Sequence, residues 1–118
     1  MQVIWNNLIK LGKVNAAGKP CSVILEWEDN WFDVVSFELD QLKPDIVMFF
    51  SGPYYDEYIN RILPGSSFHP VNERPTRQLA RIDAPGLRSR AMRTYHPNYL
   101  YRAGFREYLA DIVGAIDL

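Results

Sequence analysis

A single cysteine, Cys21, is the only thiol in these 118 residues. No disulfide can close within the chain and no cysteine set can hold a metal. Histidine is nearly as scarce, with only His69 and His96. No cluster has metal-ligand spacing, so neither a metal nor any other cofactor is expected. No stretch approaches the roughly 18 apolar residues of a membrane span. The opening MQVIWNNLIKLGK lacks the basic segment and long apolar run of a secretory signal. These absences predict a soluble protein of the cytoplasm with no membrane partner. A G-x-S-x-G elbow, a Walker loop and a dinucleotide fingerprint are missing too, which disfavours serine hydrolases, P-loop enzymes and Rossmann dehydrogenases. Arginine is absent from the first 60 residues.

What is present suits one folded domain spanning residues 1–118. Apolar residues make up 47% of the chain and aromatics 14%, enough for a single core without staples. Charge is divided sharply along the sequence. Residues 1–60 carry four lysines and nine acids, a balance of −5. Residues 61–108 carry nine arginines against Glu73, Asp83 and Glu107, a balance of +6. Six tyrosines fall between Tyr54 and Tyr101, overlapping the basic half. Guanidinium forks suit phosphates and aromatic rings suit base faces, so this mixture fits nucleic acid as a partner. A solvated arginine surface that balances the acidic half would look the same from composition alone.

Hydrophobic patterning predicts the elements. Met1–Leu8 reads as a strand running into a loop at Asn6 and Asn7. From Ser22 to Leu42 apolar residues recur at helical spacing, and Lys43-Pro44 ends the helix. Ile46–Phe50 is an unbroken apolar run, as in a strand covered on both faces. Ser51-Gly52-Pro53 turns into a helix with Asp56 and Glu57 in its first turn and Tyr54/Tyr55, Tyr58/Ile59 and Ile62 facing inward. Residues 63–77 read as a proline-rich loop, Gln78–Ile82 as a short edge strand and Ala91–Tyr95 as the next strand. A helix from about Arg102 places Phe105, Tyr108/Leu109, Ile112/Val113 and Ile116 on one stripe. Alternating strands and helices predict a three-layer α/β fold with a mostly parallel sheet and flanking helices.

Ligands of such sheets sit at the carboxyl ends of the strands. Three segments fall on that edge: Asn6/Asn7, Ser51-Gly52-Pro53 and His96-Pro97-Asn98. A neutral imidazole can donate one N–H to an oxygen that gains charge as a bond breaks, and a nearby amide can fix a base edge. His96 with Asn6 or Asn7 would supply that pair; read alone, His96 ends a strand and an asparagine makes a turn. His69, inside the proline-rich loop, reads as a loop residue. Asp83-Ala84-Pro85-Gly86 is turn chemistry, and Cys21, before the long helix, reads as a small side chain without a basic partner.

In order along the chain, VIWNN, IVMFFSGPYYDEYI and TYHPNYL resemble the C-terminal portion of the uracil-DNA glycosylase superfamily. Members carry an asparagine at a strand end, an apolar strand turning through a glycine into a helix, and a closing His-Pro-x-x-Leu motif. The resemblance implies a uracil-DNA-glycosylase-like fold, DNA as partner and excision of a base by hydrolysis of its N-glycosidic bond. His96 would be the catalytic group that stabilises the departing base anion. Asn6 or Asn7, with Ser51 and Gly52, would bind the flipped base. Leu100, with Tyr99, would wedge into the duplex, and Arg93, Asn98 and Arg102 would meet the DNA. The family's first-motif loop has no counterpart ahead of VIWNN. The domain is therefore expected to lack that strand: it is the tail of a longer protein, or a partner (a second copy among the candidates) fills the gap, or its sheet has rearranged. The alternative is a non-catalytic interaction module on the same scaffold, dimerising through the incomplete sheet. A small hydrolase or transferase using His96 as acid/base ranks last, for want of a nucleophile.

Overall fold

A computed structural model describes residues 3–4, 22–24, 26, 34–104 and 107–117. The chain divides into two compact units, Met1–Gln41 and Leu42–Leu118. In the first, residues 22–24 and 26 are helical. Helix α1 follows at Val34–Leu42, with none of its residues buried. Both spans lie inside the Ser22–Leu42 stretch that apolar spacing predicts to be helical; residues 25 and 27–33 lie outside the described residues.

The second unit is a small α/β domain built on a four-stranded mixed sheet. Its strands are β1 (Ile46–Phe49), β2 (Ser67–Pro70), β3 (Leu79–Asp83) and β4 (Arg90–Thr94), in the order β1-β4-β3-β2. Only β1 and β4 run parallel; β4–β3 and β3–β2 are antiparallel. The expected mostly parallel sheet is thus replaced by one with a single parallel pair, for a reason of chain length. Residues 71–78 join β2 to β3 and residues 84–89 join β3 to β4. A parallel crossover needs a dozen or more residues, so these connections permit only hairpins. The second is built on Ala84-Pro85-Gly86-Leu87. Leu87 N–H donates to Ala84 O at 3.1 Å, and Gly86 takes φ +78°. Proline then glycine at the two central positions is the type II pattern. The presumed loop at 63–77 therefore contains a strand, and His69 belongs to β2 rather than to a loop.

Alternation puts Met48, Met92 and Leu79 on one face of the sheet, and Phe49, Ala91, Arg93, Ala80 and Ile82 on the other. Helix α2 (Asp56–Ile62) lies on the second face, where Asp56 reaches Arg93. Its Tyr58 and Ile59 are buried. The helix predicted from about Arg102 corresponds to α4 (Glu107–Asp117), and a short helix that apolar spacing does not predict, α3 (Pro97–Arg102), precedes it. Tyr108 and Ile112 of α4 bury against Val71, Leu79 and Met92, with Met48, Ala115 and Ile116 packed around them. Leu109 and Val113, expected on the same stripe, face outward.

A polar clasp fixes α4 to the β2–β3 connection. Arg74 Nε donates to Asp111 Oδ2 at 2.7 Å and Asn72 Nδ2 donates to Asp111 Oδ1 at 2.7 Å. The Arg74 guanidinium also lies 4.4 Å from the centre of the Tyr108 ring. The hydrogen bond from Arg74, then that from Asn72, holds the Asp111 carboxyl below its ordinary value. A carboxyl depressed by folding adds stability that is complete above its unfolded value and disappears as pH falls through the folded one. Thermal midpoints of the wild type should therefore fall more steeply than those of Asp111→Asn as pH drops below the ordinary carboxylate value. Parallel curves for the two proteins would remove the clasp from the acid response.

Candidate functional site at the carboxyl edge of the parallel pair

Two of the three edge segments meet as the sequence predicts. Phe49 pairs with Arg93 near the ends of β1 and β4. Beyond them, Gly52 N–H donates to Thr94 O at 2.9 Å, so Ser51-Gly52-Pro53 lies alongside the exit of β4. Gly52 adopts φ 68°, ψ 174°, a conformation open to glycine and closed to residues with a Cβ. That geometry turns the chain into a single 3₁₀ turn, Pro53–Tyr55, ahead of α2. A Cβ at Gly52 would stand 3.5 Å from Tyr95 Cδ1, so the Tyr95 ring packs against this turn. Tyr95 in turn meets Tyr99, ring centres 4.5 Å apart. Ser51 is half-buried, its hydroxyl directed at Gly52 O at 3.3 Å. Asn6 and Asn7 lie outside the described residues.

His96 both caps a helix and presents a donor. It is the residue before α3, and Pro97 fills the first helical position, where its missing N–H costs nothing. His96 Nδ1 accepts from Asn98 N–H at 3.1 Å. A backbone N–H can only donate, so the neutral ring carries its proton on Nε2. The side chain is exposed. The capping bond thus orients the imidazole and fixes the tautomer with an outward Nε2–H.

Other expected contacts are rearranged. The resemblance has Arg93 meeting the DNA, yet it is 1% exposed. Its Nε and Nη2 donate to the two Asp56 carboxylate oxygens at 2.8 and 2.9 Å. Its Nη1 donates to Thr76 O at 3.0 Å and to Arg77 O at 2.8 Å, and the group lies 5.4 Å from the Phe68 ring centre. Its donors are engaged internally, so Arg93 is a cross-link beneath the edge. Leu100 was assigned as a duplex wedge, but it is the buried residue of α3 and cannot enter a base stack. Asn98 and Tyr99 are exposed. Arg102 is exposed as well, with Nε 3.4 Å from Asn98 O.

Sequence reasoning missed Tyr54 and Arg77. Tyr54 was expected to face inward, but it sits in the 3₁₀ turn, off the α2 stripe, and is 72% exposed. Arg77 lies just before β3, whose first residue pairs with Thr94. Arg77 Nη2 donates to Tyr54 Oη at 3.1 Å, and its Cζ stands 5.2 Å from that ring's centre. Their only sequence signal was a basic residue in a loop and a tyrosine after a glycine turn.

The assembled edge carries an imidazole N–H, a serine hydroxyl, tyrosine faces and arginines. It can donate hydrogen bonds, stack on flat rings and attract anions. Asp56, close in sequence to the turn, is bound by Arg93 and is not available to activate water. Among the described residues no group of three His, Cys, Asp or Glu side chains is placed to hold a metal ion, and no helix is long and apolar enough to cross a membrane. No protein-family model, curated protein or solved structure matches the chain.

Proposed function

We propose that this chain is a nucleic-acid-binding domain of uracil-DNA-glycosylase-like design, working at the carboxyl edge of β1 and β4. The observation that carries the reading is the convergence of Ser51-Gly52-Pro53 with His96-Pro97-Asn98, joined there by Tyr54, Tyr99 and Arg77. In this reading DNA is the partner. A base turned toward the edge would meet the outward Nε2–H of His96 at a carbonyl oxygen. As the N-glycosidic bond breaks, its electron pair stays with the base, whose anion that N–H stabilises, while a solvent water bonds to the electron-poor sugar carbon and gives its proton to solvent. Stacking on exposed tyrosine offsets the few kcal/mol needed to unstack a nucleotide.

A second reading is favoured by the pairing of Asp56. With that carboxylate held by Arg93, the same edge would bind nucleic acid without hydrolysis, as an interaction module. β1, an outer strand of the described sheet, is where such a module would pair with a second copy.

Fluorescence anisotropy of a labelled uracil-containing single strand tests the shared claim. Two phosphate contacts, through Arg77 and Arg102, predict a log–log salt slope of about −1.4. A flat salt response would contradict nucleic-acid binding at this edge. Scoring uracil release in the same mixtures separates the two readings. Release that falls by about 10²- to 10³-fold in His96→Ala identifies excision. Salt-dependent binding without release identifies the module.

A further inference from the structure

We infer that Tyr54 and Arg77 form a clamp for one unpaired nucleotide, held ready by the buried Arg93–Asp56 pair; the inference rests on the nucleic-acid reading and deepens it to single-stranded ligand. The two residues belong to segments far apart in sequence. A guanidinium over an exposed ring is a weak attraction, too little to hold two surface segments together. What holds them lies underneath. Asp56 follows the 3₁₀ turn that bears Tyr54, and it receives a fork of two hydrogen bonds from Arg93. The same guanidinium binds the carbonyls of Thr76 and Arg77, fixing the backbone that bears the Arg77 side chain. Thr94 Oγ1 adds a third anchor, donating to Gln78 O at 3.0 Å. One buried arginine therefore sets the spacing between a tyrosine face and a surface guanidinium.

The charge above this anchor is open to an anion. Arg74, three residues upstream, is paired with Asp111 and Glu107. Among the described residues no carboxylate pairs with Arg77, whose bond goes to the neutral Tyr54 hydroxyl. A guanidinium so placed can meet a phosphate in bidentate fashion while the adjacent ring receives the attached base. Stacking of that kind needs a base with a free π-face. Bases inside a duplex have both faces covered by their neighbours, whereas an unpaired strand offers them. The clamp therefore discriminates by strandedness rather than by base sequence. Arg93 acts here as a positioning residue and touches no ligand.

The test uses three labelled probes: a twelve-nucleotide oligothymidylate, a duplex of equal length, and a single strand of abasic sites that offers phosphates without bases. The wild type should bind oligothymidylate at least tenfold more tightly than the other two. Tyr54→Ala should lower affinity for oligothymidylate by about 5- to 150-fold, the range for loss of one base–aromatic stack. Its affinity for the duplex and abasic strand should change less than twofold, and Tyr54→Phe should bind like wild type. Arg77→Ala should weaken all three probes and make the single-strand salt slope shallower by about 0.7. Tyr54 is a surface residue, so circular dichroism and thermal midpoint should stay at wild-type values and exclude misfolding. If Tyr54→Ala binds oligothymidylate as the wild type does, the clamp is overturned and nucleic-acid binding stands. If the wild type shows no salt-dependent binding to any probe, both are overturned.

Discussion

Asp56→Ala should cost about 3 kcal/mol of stability, far more than its partly exposed position in α2 suggests. Arg93 stands opposite with a side chain 2% exposed, against 27% for Asp56. Removing the carboxylate leaves a buried guanidinium with two donors facing no acceptor, a situation that costs about 3–5 kcal/mol. Water can reach the Asp56 side more readily, which places the expectation at the lower end. The remedy is to remove both charges. Asp56→Ala combined with Arg93→Met should recover most of the lost stability, since a buried ion pair replaced by apolar groups is often neutral. Urea unfolding of the two single variants and the double variant measures this coupling. Additive losses would show that the pair does not act as a unit. The double variant should nonetheless bind single strands weakly, because nothing then ties Thr76 and Arg77 to the start of α2.

Leu79→Ala should lose a comparable amount of stability, about 2–5 kcal/mol, with a different functional result. Leu79 is fully buried between the sheet and α4, packed in one cluster with Val71, Met92, Tyr108 and Ile112. The substitution opens a cavity on the face of the sheet away from Arg93. It removes no contact made by Asp56, Arg93, Tyr54 or Arg77. At low temperature, where the variant remains folded, its affinity for a single strand should match the wild type. The two variants together separate stability from positioning: Asp56→Ala loses both, Leu79→Ala only stability. Loss of affinity in folded Leu79→Ala would mean that the edge depends on the α4 core rather than on the buried pair.

Much of the second unit was legible because local chemistry decided it. The unbroken apolar run at Ile46–Phe49, the glycine turn and acidic start of α2, and the Pro85-Gly86 hairpin are all written within a few residues. The meeting of Ser51-Gly52-Pro53 with His96-Pro97-Asn98 followed from placing both at strand exits. Sheet direction was misread because β2, four residues ending in a proline, was absorbed into a loop. With it went the β2–β3 hairpin; the 84–89 connection is visible as a turn, and its shortness alone already rules out a parallel crossover between β3 and β4. His96 was read as a strand end, although Pro97 carried a start signal for the helix that buries Leu100. Arg93 was the least legible. Nothing local marks an arginine in an alternating strand for burial, and its partner Asp56 lies 37 residues upstream. Tyr54 and Arg77 were hidden for the same reason, since the element that brings them together is Arg93 itself.

The most direct measurement of the central claim is an amide-resolved NMR titration of the labelled protein with an unpaired oligonucleotide. Binding at the carboxyl edge predicts that shift changes concentrate at Ser51, Gly52, Tyr54, Arg77, His96, Asn98 and Tyr99. Ser67 and Asp83, paired at the opposite end of the sheet, should stay unmoved. Changes centred on Ser67, Asp83 and Arg88, with the carboxyl edge silent, would contradict it.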